Sequence, residues 1–426
     1  MNTTIKKITA RQILDCKTRP MLEVDVYTEG GAVGRGSAPT GTSVGMYEAF
    51  VLRDNDPLDY KGMSVHTAVK NVQEIIGPAL IGMDVEDQEA IDQKMIEMDG
   101  TPNKSKLGGN TIYSVSVACL RAAAAAKQMP VYRHLAGENL KIIPLPTFNV
   151  VNGGHNGEII QPFNEFIFVP IGASCVEEAV SMGVSVFQEL KTVIRAYLGG
   201  AEPLVGGSYG WGAPSEEPQV VLELMSQAAE QCGFAGKYAF ALDCASSEMY
   251  EEETNTYWLH GQRVPNTEII SCVKALTEKF PLVFVEDMLG ENDWEGFAQA
   301  HREITRTNLI GDDLIVTNLE RLEHAISLNA IDGFILKPNQ VGTISEALKT
   351  YHYAKSKGLM AIPSGRAGGA VDDVVADIAL ALQGPISKNG APRSGERLNK
   401  INSLLRAADV NEGSRLADFS SLIRYQ

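Results

Sequence analysis

The sequence predicts an α/β protein in which a smaller N-terminal α+β domain precedes a larger barrel of alternating strands and helices. Residues 1–140 contain strand patterns followed by helical patterns, whereas residues 141–426 alternate short apolar runs with helical stretches. The later apolar runs recur about every 25 residues, the length of one strand-plus-helix unit. Acidic residues and lysines stand at the ends of these runs, where barrel active sites lie.

The N-terminal domain begins with two segments in which apolar and polar residues alternate, residues 5–13 and 22–27. This alternation is typical of half-buried strands, and Glu29-Gly30-Gly31 supplies a turn signal after them. Helical patterns follow at residues 65–76, 85–97 and 110–128. Strands followed by helices indicate an α+β domain, and the prolines after residue 143 favour a boundary near residue 140.

In the second domain each short apolar run leads into a charged or polar residue. The runs at residues 238–242, 282–285, 309–310, 334–336 and 359–362 lead to Asp243, Glu286, Asp312, Lys337 and Ser364. The intervening stretches, such as residues 267–279, 318–328 and 345–357, have helical periodicity. The alternation implies parallel strands joined by helical crossovers. A closed barrel is favoured, with an open sheet as the alternative, because open sheets also bind ligands at the carboxyl ends of their strands.

Composition excludes several classes of protein. The 426 residues include 53 Asp and Glu against 37 Lys and Arg, a net charge of −16, which disfavours nucleic acid as a partner. The six cysteines form no C-x-x-C pair, so we expect free thiols in a reducing compartment. No segment has the pattern of a signal peptide or of a membrane span. These features indicate a cytoplasmic enzyme without a membrane partner.

Three predicted strands end in acids that would meet at one mouth of the barrel: Asp243, Glu286 and Asp312. Like-charge repulsion makes such a group costly without a cation, and oxygen ligands favour Mg²⁺. The alternative, that each acid caps the helix after it, suits a single acid better than three in step.

Lys337 closes a strongly apolar run at the next predicted strand. A lysine that is desolvated and close to a metal would have a lowered pKa and could serve as a general base, although an ion pair with one of the acids would also explain it. A metal ion and a lysine base together suit the removal of a proton from the carbon beside a carboxylate.

Long motifs along nearly the whole chain, in order, resemble those of the enolase family. They are Ile8-Thr-Ala-Arg-Gln-Ile-Leu-Asp, Ala245-Ser-Ser-Glu-Met-Tyr, Val285-Glu-Asp with Asp293-Trp-Glu, Gly311-Asp-Asp-Leu-Ile-Val-Thr-Asn, Leu336-Lys-Pro-Asn-Gln-Val-Gly-Thr and Gly390-Ala-Pro-Arg-Ser-Gly-Glu-Arg-Leu. Motifs this long and numerous are specific for a fold and a superfamily.

The resemblance implies a modified (β/α)8 barrel, residues 141–426, capped by an N-terminal α+β domain, residues 1–140. It also implies a homodimer or a higher homo-oligomer and two Mg²⁺ ions per site when substrate is bound. The residue roles that it implies are metal ligation by Asp243, Glu286, Asp312 and Ser43, proton abstraction by Lys337, substrate carboxylate binding by Lys388, and a position beside the reacting carbon for Glu165.

The sequence departs from the family around the leaving group. The loop in which enolases carry a catalytic glutamate reads Val205-Gly-Gly-Ser-Tyr-Gly-Trp-Gly-Ala-Pro, so Ser208 or Tyr209 stands where the acid would be. A serine is a poor acid at neutral pH, and general acid catalysis is worth about 10²–10⁴-fold. The family's active-site histidine aligns with Asn156, whereas His155 stands one residue earlier. His155 is therefore either an active-site residue or an ordinary loop residue.

The phosphate side is altered as well. The family's His-Arg-Ser reads Gly365-Arg366-Ala367, with Ser364 before it, so Arg366 is the donor that remains. Arginine can still bind an oxyanion through two hydrogen bonds. We expect weaker phosphate binding, or a different and larger group in the space left at Gly365 and Ala367.

Three functions follow from the sequence. The leading one is a Mg²⁺-dependent lyase of a small phosphorylated or otherwise anionic carboxylate, with the glycolytic dehydration of 2-phosphoglycerate to phosphoenolpyruvate as the nearest activity. The second is an enolase-family enzyme with an altered substrate or leaving group. The third is a non-catalytic, enolase-like binding protein.

Overall fold

A computed structural model of the chain describes residues 1–41, 45–137 and 140–426. The N-terminal part begins with an antiparallel sheet in the order β1-β2-β3, formed by β1 (Ile5–Leu14), β2 (Pro20–Thr28) and β3 (Val33–Ser37). Helices then follow, as the alternating and helical patterns predicted. They are α1 (His66–Asn71), α2 (Gly77–Leu80), α3 (Gln88–Asp99), α4 (Gly109–Ala126) and α5 (Val131–Ala136).

One predicted helix, residues 65–76, is interrupted. Helix α1 ends at Asn71 and continues as a π-helical segment, Val72–Ile76, before α2. The amide of Gly77 donates to the carbonyl of Val72, five residues earlier. Pro78 follows directly and has no N–H with which to continue an α-helical ladder.

Helix α4 packs directly on the sheet and is buried on nearly every side. A β-carbon on Gly34 or Gly36 of β3 would lie 2.1 Å or 2.2 Å from a carbonyl oxygen of α4. Glycine at these two positions therefore allows strand and helix backbones to approach. Residues from β1, β2, α1 and α4 form the hydrophobic core of this part, among them Leu22, Val24 and Ile112.

The remainder of the chain alternates strands and helices. The strands are β4 (Ile142–Ile143), β5 (Leu145–Asn156), β6 (Ile159–Val169), β7 (Trp211–Gly212), β8 (Ala239–Asp243), β9 (Tyr250–Glu251), β10 (Thr256–Leu259), β11 (Gln262–Val264), β12 (Leu282–Glu286), β13 (Asn308–Gly311), β14 (Gly333–Leu336), β15 (Met360–Pro363), β16 (Ile386–Lys388) and β17 (Arg415–Leu416). The helices are α6 (Val176–Tyr197), α7 (Pro218–Gln231), α8 (Asn266–Lys279), α9 (Trp294–Glu303), α10 (Leu319–Ser327), α11 (Pro338–Val341), α12 (Ile344–Ser356), α13 (Val375–Leu382) and α14 (Gly395–Val410). The domain boundary between residues 140 and 141 stays a prediction.

Eight of these strands form a closed barrel in the order β5-β6-β8-β12-β13-β14-β15-β16. Strand β16 pairs with β5, and a bridge between Ser364 and Lys388 joins β15 to β16. The preference for a barrel over an open sheet is thus confirmed. The strands are parallel except for β6, which is antiparallel to both of its neighbours. The reason is that a tight hairpin after Asn156, and not a helical crossover, joins β5 to β6.

An apolar cluster fills the barrel interior beneath the strand ends. It includes Ala241, Phe284, Ile310, Ile335, Ile362 and Ile386. Successive side chains of a strand alternate in direction, so the residue two positions later shares the inward face. Those residues are Asp243, Glu286, Asp312, Lys337, Ser364 and Lys388, which form a polar layer directly above the apolar one. Because β6 runs the opposite way, its member of the polar layer, Glu165, precedes its apolar residue Ile167.

The described helices include none with both the length and the apolar character needed to cross a bilayer. All six cysteines are free thiols, as predicted; Cys119 and Cys244 are buried, whereas Cys175 is exposed.

Candidate active site

A cavity of about 290 Å³ opens at the carboxyl ends of the barrel strands. From β8 onward, the described residues with a predicted catalytic or binding role line this cavity, with one exception. Glu286 does not line the cavity and is fully buried. The N-terminal part contributes Lys17 and Gly41 to the same wall. The barrel therefore brings together side chains that are far apart in the sequence.

Lys388 lies at the centre of the acidic side of the cavity. Its ammonium donates to Asp243 Oδ2 at 2.6 Å and Glu286 Oε2 at 2.7 Å, and lies 3.2 Å from Glu165 Oε2. Burial works to lower the pKa of Lys388, but these three carboxylates raise it well above the ordinary lysine value. Lys388 therefore stays charged near neutral pH.

Glu286 is the deepest of the predicted metal ligands, with no exposed surface. Burial first, and then repulsion from Asp243, raise the pKa of Glu286 well above its usual range, although Lys388 opposes the shift. Its Oε1 atom is buried and accepts no hydrogen bond from the described residues. A buried carboxylate oxygen with an unused lone pair fits the donor set of a hard cation.

Asp312 and Lys337 form an ion pair through Oδ2 and Nζ. Gln340 Nε2 donates to the other oxygen of Asp312 at 2.9 Å. Although burial works to raise the pKa of Asp312, the Lys337 ammonium lowers it overall. The ion pair that the sequence left open as an alternative role for Lys337 is thus present.

The lowered pKa of Lys337 was predicted for an amine close to a metal ion, and it stays a prediction. Burial does act in that direction, but attraction to Asp312 and Glu286 raises the pKa above the ordinary lysine value. The physical reason is that a nearby carboxylate favours the charged form of an amine, whereas a nearby cation disfavours it.

A second group of acids lies beside the predicted ligands. Carboxylate oxygens of Asp287, Asp312 and Asp313 all lie within 4.8 Å of one another. Asp287 already accepts hydrogen bonds from the amides of Asp312 at 2.8 Å and Asp313 at 2.6 Å. Its oxygens are therefore engaged in holding the turn after β13, which makes Asp287 a poorer ligand than Glu286.

Glu165 faces the acids from the antiparallel strand. It is the direct partner of Asp243 in the β6–β8 ladder. Asn149 Nδ2 donates to Glu165 Oε1 at 2.7 Å and fixes the orientation of the carboxylate.

Arg366 also lines the cavity, where it is buried and its guanidinium donates two hydrogen bonds to the carboxylate of Glu48. The two hydrogen bonds measure 2.7 Å and 3.0 Å. Ser364, which is also buried, lines the cavity and donates to the carbonyl of Gly365 at 3.1 Å. The group that reaches Arg366 from the N-terminal part is therefore an acid.

Part of the space expected at Gly365 and Ala367 is filled, because Lys400 of α14 lies against Gly365. A β-carbon on residue 365 would lie 2.9 Å from Lys400 Cε and 3.1 Å from Nζ. Lys400 lines the cavity together with Arg366. The side chain of Lys400, from α14, thus lies where glycine at position 365 leaves no side chain.

The loop before β7 separates the two candidate acids. The amide of Ser208 donates to Asn152 Oδ1 at 3.1 Å, and Ser208 lines the cavity. The hydroxyl of Tyr209 instead donates to the carbonyl of Cys16 at 2.7 Å. His155 is exposed and also lines the cavity. The arrangement therefore favours Ser208 over Tyr209.

Two predicted site residues cannot be placed. Ser43 lies outside the described residues, and the same holds for the side chain of Asn156, whose backbone pairs with Ile159.

Sequence reasoning missed several residues at the site, among them Glu48, Asn149, Gln340 and Lys400. Gln340 stands within a quoted motif, three residues after Lys337, so attention to that motif could have identified it. Neither Glu48 nor Lys400 carries a local signal, since each acts on a residue hundreds or tens of positions away.

Comparison with known proteins agrees with this geometry. A family model described as the enolase C-terminal TIM barrel domain matches residues 140–419. A model described as the enolase N-terminal domain matches residues 5–135. An enolase from Methanocaldococcus jannaschii is 40 % identical over 402 residues, which are 94 % of this chain and 94 % of that protein.

Proposed function

This chain belongs to the enolase family and is a phosphopyruvate hydratase-like lyase, and we propose that it dehydrates 2-phosphoglycerate with the help of Mg²⁺. The observation that carries the proposal is the single polar layer in which two lysines, Lys337 and Lys388, meet four carboxylates above the apolar plug of the barrel. Such a layer can hold a carboxylate and take a proton from the carbon beside it.

We assign the metal to Asp243, Glu286 and Asp312, with Ser43 for a second ion. The buried Oε1 atom of Glu286, which accepts no hydrogen bond from the described residues, supports this set over the set that contains Asp287. Bound Mg²⁺ would supply positive charge to the substrate carboxylate as negative charge develops on it.

Side chains of the protein bind the substrate carboxylate, remove the α-proton and protonate the departing hydroxyl. Lys388, whose pKa is raised, stays protonated and binds the substrate carboxylate. Lys337, once its proton has left, accepts the α-proton at Nζ. Glu165 lies across the cavity from Lys337's strand and, with Ser208 and His155 near it, delivers a proton through water to the departing hydroxyl.

The substrate is selected by the residues that bind its phosphoryl group. We propose that Arg366 binds the phosphoryl group while Ser364 and Gly365 form the adjoining wall, and that Asn156 contacts the substrate, as predicted from the sequence. The substrate is then a small phosphorylated carboxylate. An altered substrate or leaving group is the second candidate, favoured by the serine that lines the cavity in place of a glutamate.

The test is phosphoenolpyruvate formation by the purified protein with Mg²⁺ and 2-phosphoglycerate. Turnover of at least about 1–10 s⁻¹ supports the proposal, since it lies in the ordinary range for enzymes. Little product, together with α-proton exchange on a related carboxylate in D₂O, would assign the site to another substrate. A protein that shows no turnover, no α-proton exchange and no Mg²⁺-dependent shift in melting temperature would instead be a non-catalytic binding protein.

We further propose that the protein acts in the cytoplasm, within glycolysis, as a homodimer or higher homo-oligomer, and that its domains divide at residue 140. Light scattering during size-exclusion chromatography measures the assembly, and a monomer at all concentrations would contradict it.

A further inference from the structure

We propose that Lys400 forms, with Arg366, the site that receives the phosphoryl group of the substrate, and that glycine at position 365 is what admits Lys400 to the cavity. The inference rests on the proposed function and extends it, because it names a binding residue from α14.

Lys400 is a buried cation with little internal compensation. It is 1 % exposed, and its ammonium donates to the carbonyl of Glu396 at 3.2 Å. Within the part of the chain that the structure describes, no carboxylate forms an ion pair with it. An ammonium has three N–H donors, and an uncompensated buried charge is costly. An anion in the cavity would satisfy the two donors that remain.

The absence of a side chain at Gly365 allows the Lys400 amine to lie beside this residue. The 2.9 Å and 3.1 Å distances from a β-carbon at position 365 to Lys400 Cε and Nζ show that even alanine would press on the amine. A side chain at position 365 would therefore require the end of Lys400 to move. Lys400 and Gly365 both line the cavity that contains Arg366 and Lys388.

Besides Lys337 and Lys388, four cationic side chains of the described residues line the cavity: Lys17, Arg366, Arg397 and Lys400. Arg366 is paired with Glu48, and carboxylates surround the ammonium of Lys388. Arg397 is already paired with Glu396 at 2.7 Å. Lys400 is therefore better placed than Arg397 to bind a dianion beside Arg366.

Burial supports the same role. It lowers the pKa of Lys400, with opposing contributions from Asp373 and Glu396. A phosphoryl dianion would restore the charged form of the amine, so binding of the anion and protonation of Lys400 favour one another.

The direct test measures binding of inorganic phosphate by calorimetry to the wild type, to Lys400→Met, and to Lys349→Met as a control on the exposed face of α12. We expect the affinity for phosphate to fall at least tenfold in Lys400→Met and to stay unchanged in Lys349→Met. Equal binding by Lys400→Met and the wild type, or no binding by the wild type, overturns the proposal. This result does not depend on turnover, so the 2-phosphoglycerate assay can fail on its own.

A second variant, Gly365→Ala, displaces the amine without removing it and covers the case in which Lys400→Met does not fold. We expect it to weaken phosphate binding in the wild-type background and to have no further effect in Lys400→Met. Additive effects would show that the two residues act independently and would contradict the inference.

Discussion

Glu48 and Arg366 form a buried bidentate ion pair that joins the N-terminal part of the chain to the barrel mouth across 318 positions of sequence. Both side chains are buried, so removal of the carboxylate takes the partner charge from a desolvated guanidinium. We expect Glu48→Gln to destabilise the protein by about 3–5 kcal/mol, measured by urea unfolding.

The matched control is Glu223→Gln, which breaks the exposed pair between Glu223 and Lys279. That pair has a similar length, 2.7 Å, but both side chains are 47 % exposed. Exposed ion pairs contribute little because water already solvates their charges. Equal losses in the two variants would contradict the importance of burial at Glu48.

Lys337→Ala should abolish exchange of the α-proton. Since the amine is the proposed base, we expect the exchange rate in D₂O, followed by proton NMR, to fall by about 10²–10⁴-fold while Mg²⁺ binding persists. Lys355→Ala, on the exposed surface of α12, is the control. Exchange that survives in Lys337→Ala would rule out Lys337 as the base.

Glu286→Gln tests the metal assignment. The amide keeps the shape of the side chain but loses the negative charge of the buried oxygen. We expect the Mg²⁺-dependent rise in melting temperature to disappear, because a ligand stabilises the native state only as far as it binds. Glu268→Gln, an exposed change on α8, should retain the rise. A full Mg²⁺ shift in Glu286→Gln would move the site to the acids around Asp287.

Ser208→Glu tests the altered loop. Ser208 lines the cavity, so a carboxyl group there could protonate the departing hydroxyl, and we expect faster 2-phosphoglycerate dehydration by up to about 10²-fold. Ser208→Gln has a side chain of the same size without the acid and should give no gain. Similar rates in both variants would show that the loop does not limit the reaction.

The raised pKa of Asp377 predicts that the free energy of unfolding depends on pH. Burial raises the pKa of Asp377 to about 6; Arg121 opposes the shift, and Asp372 adds to it. The folded pKa exceeds the unfolded value, so the favourable contribution of protonated Asp377 is complete below about pH 4 and is lost as the pH rises through about 6.

Asp377→Asn should therefore be more stable than the wild type above about pH 6, by up to roughly 3 kcal/mol, with a difference that shrinks toward pH 4. Urea unfolding at several pH values measures it. The carboxylate accepts one long hydrogen bond, 3.3 Å from the Tyr132 amide, which asparagine can also accept. A difference that grows as the pH falls would contradict the assignment.

Much of the polar layer could be predicted because the sequence pattern that indicates it is local. A strand side chain alternates in direction, and a strand followed by a helix delivers its last inward residue to the barrel mouth. Asp243, Glu286, Asp312 and Lys337 each follow this rule, so the sequence was enough to place them at one end of the barrel. The residue types alone then indicated a cation and a base.

Tertiary structure decided what depends on contacts between distant segments. Glu165 faces Asp243 only because β6 runs antiparallel to β8, which a short hairpin dictates. The charge state of Lys337 depends on the carboxylate beside it. Lys400 of α14 reaches the cavity beside Gly365, in the loop after β15, where a β-carbon would press on its amine. Strand and helix patterns are set by neighbours in sequence, whereas pKa values and cavity shape are set by neighbours in space.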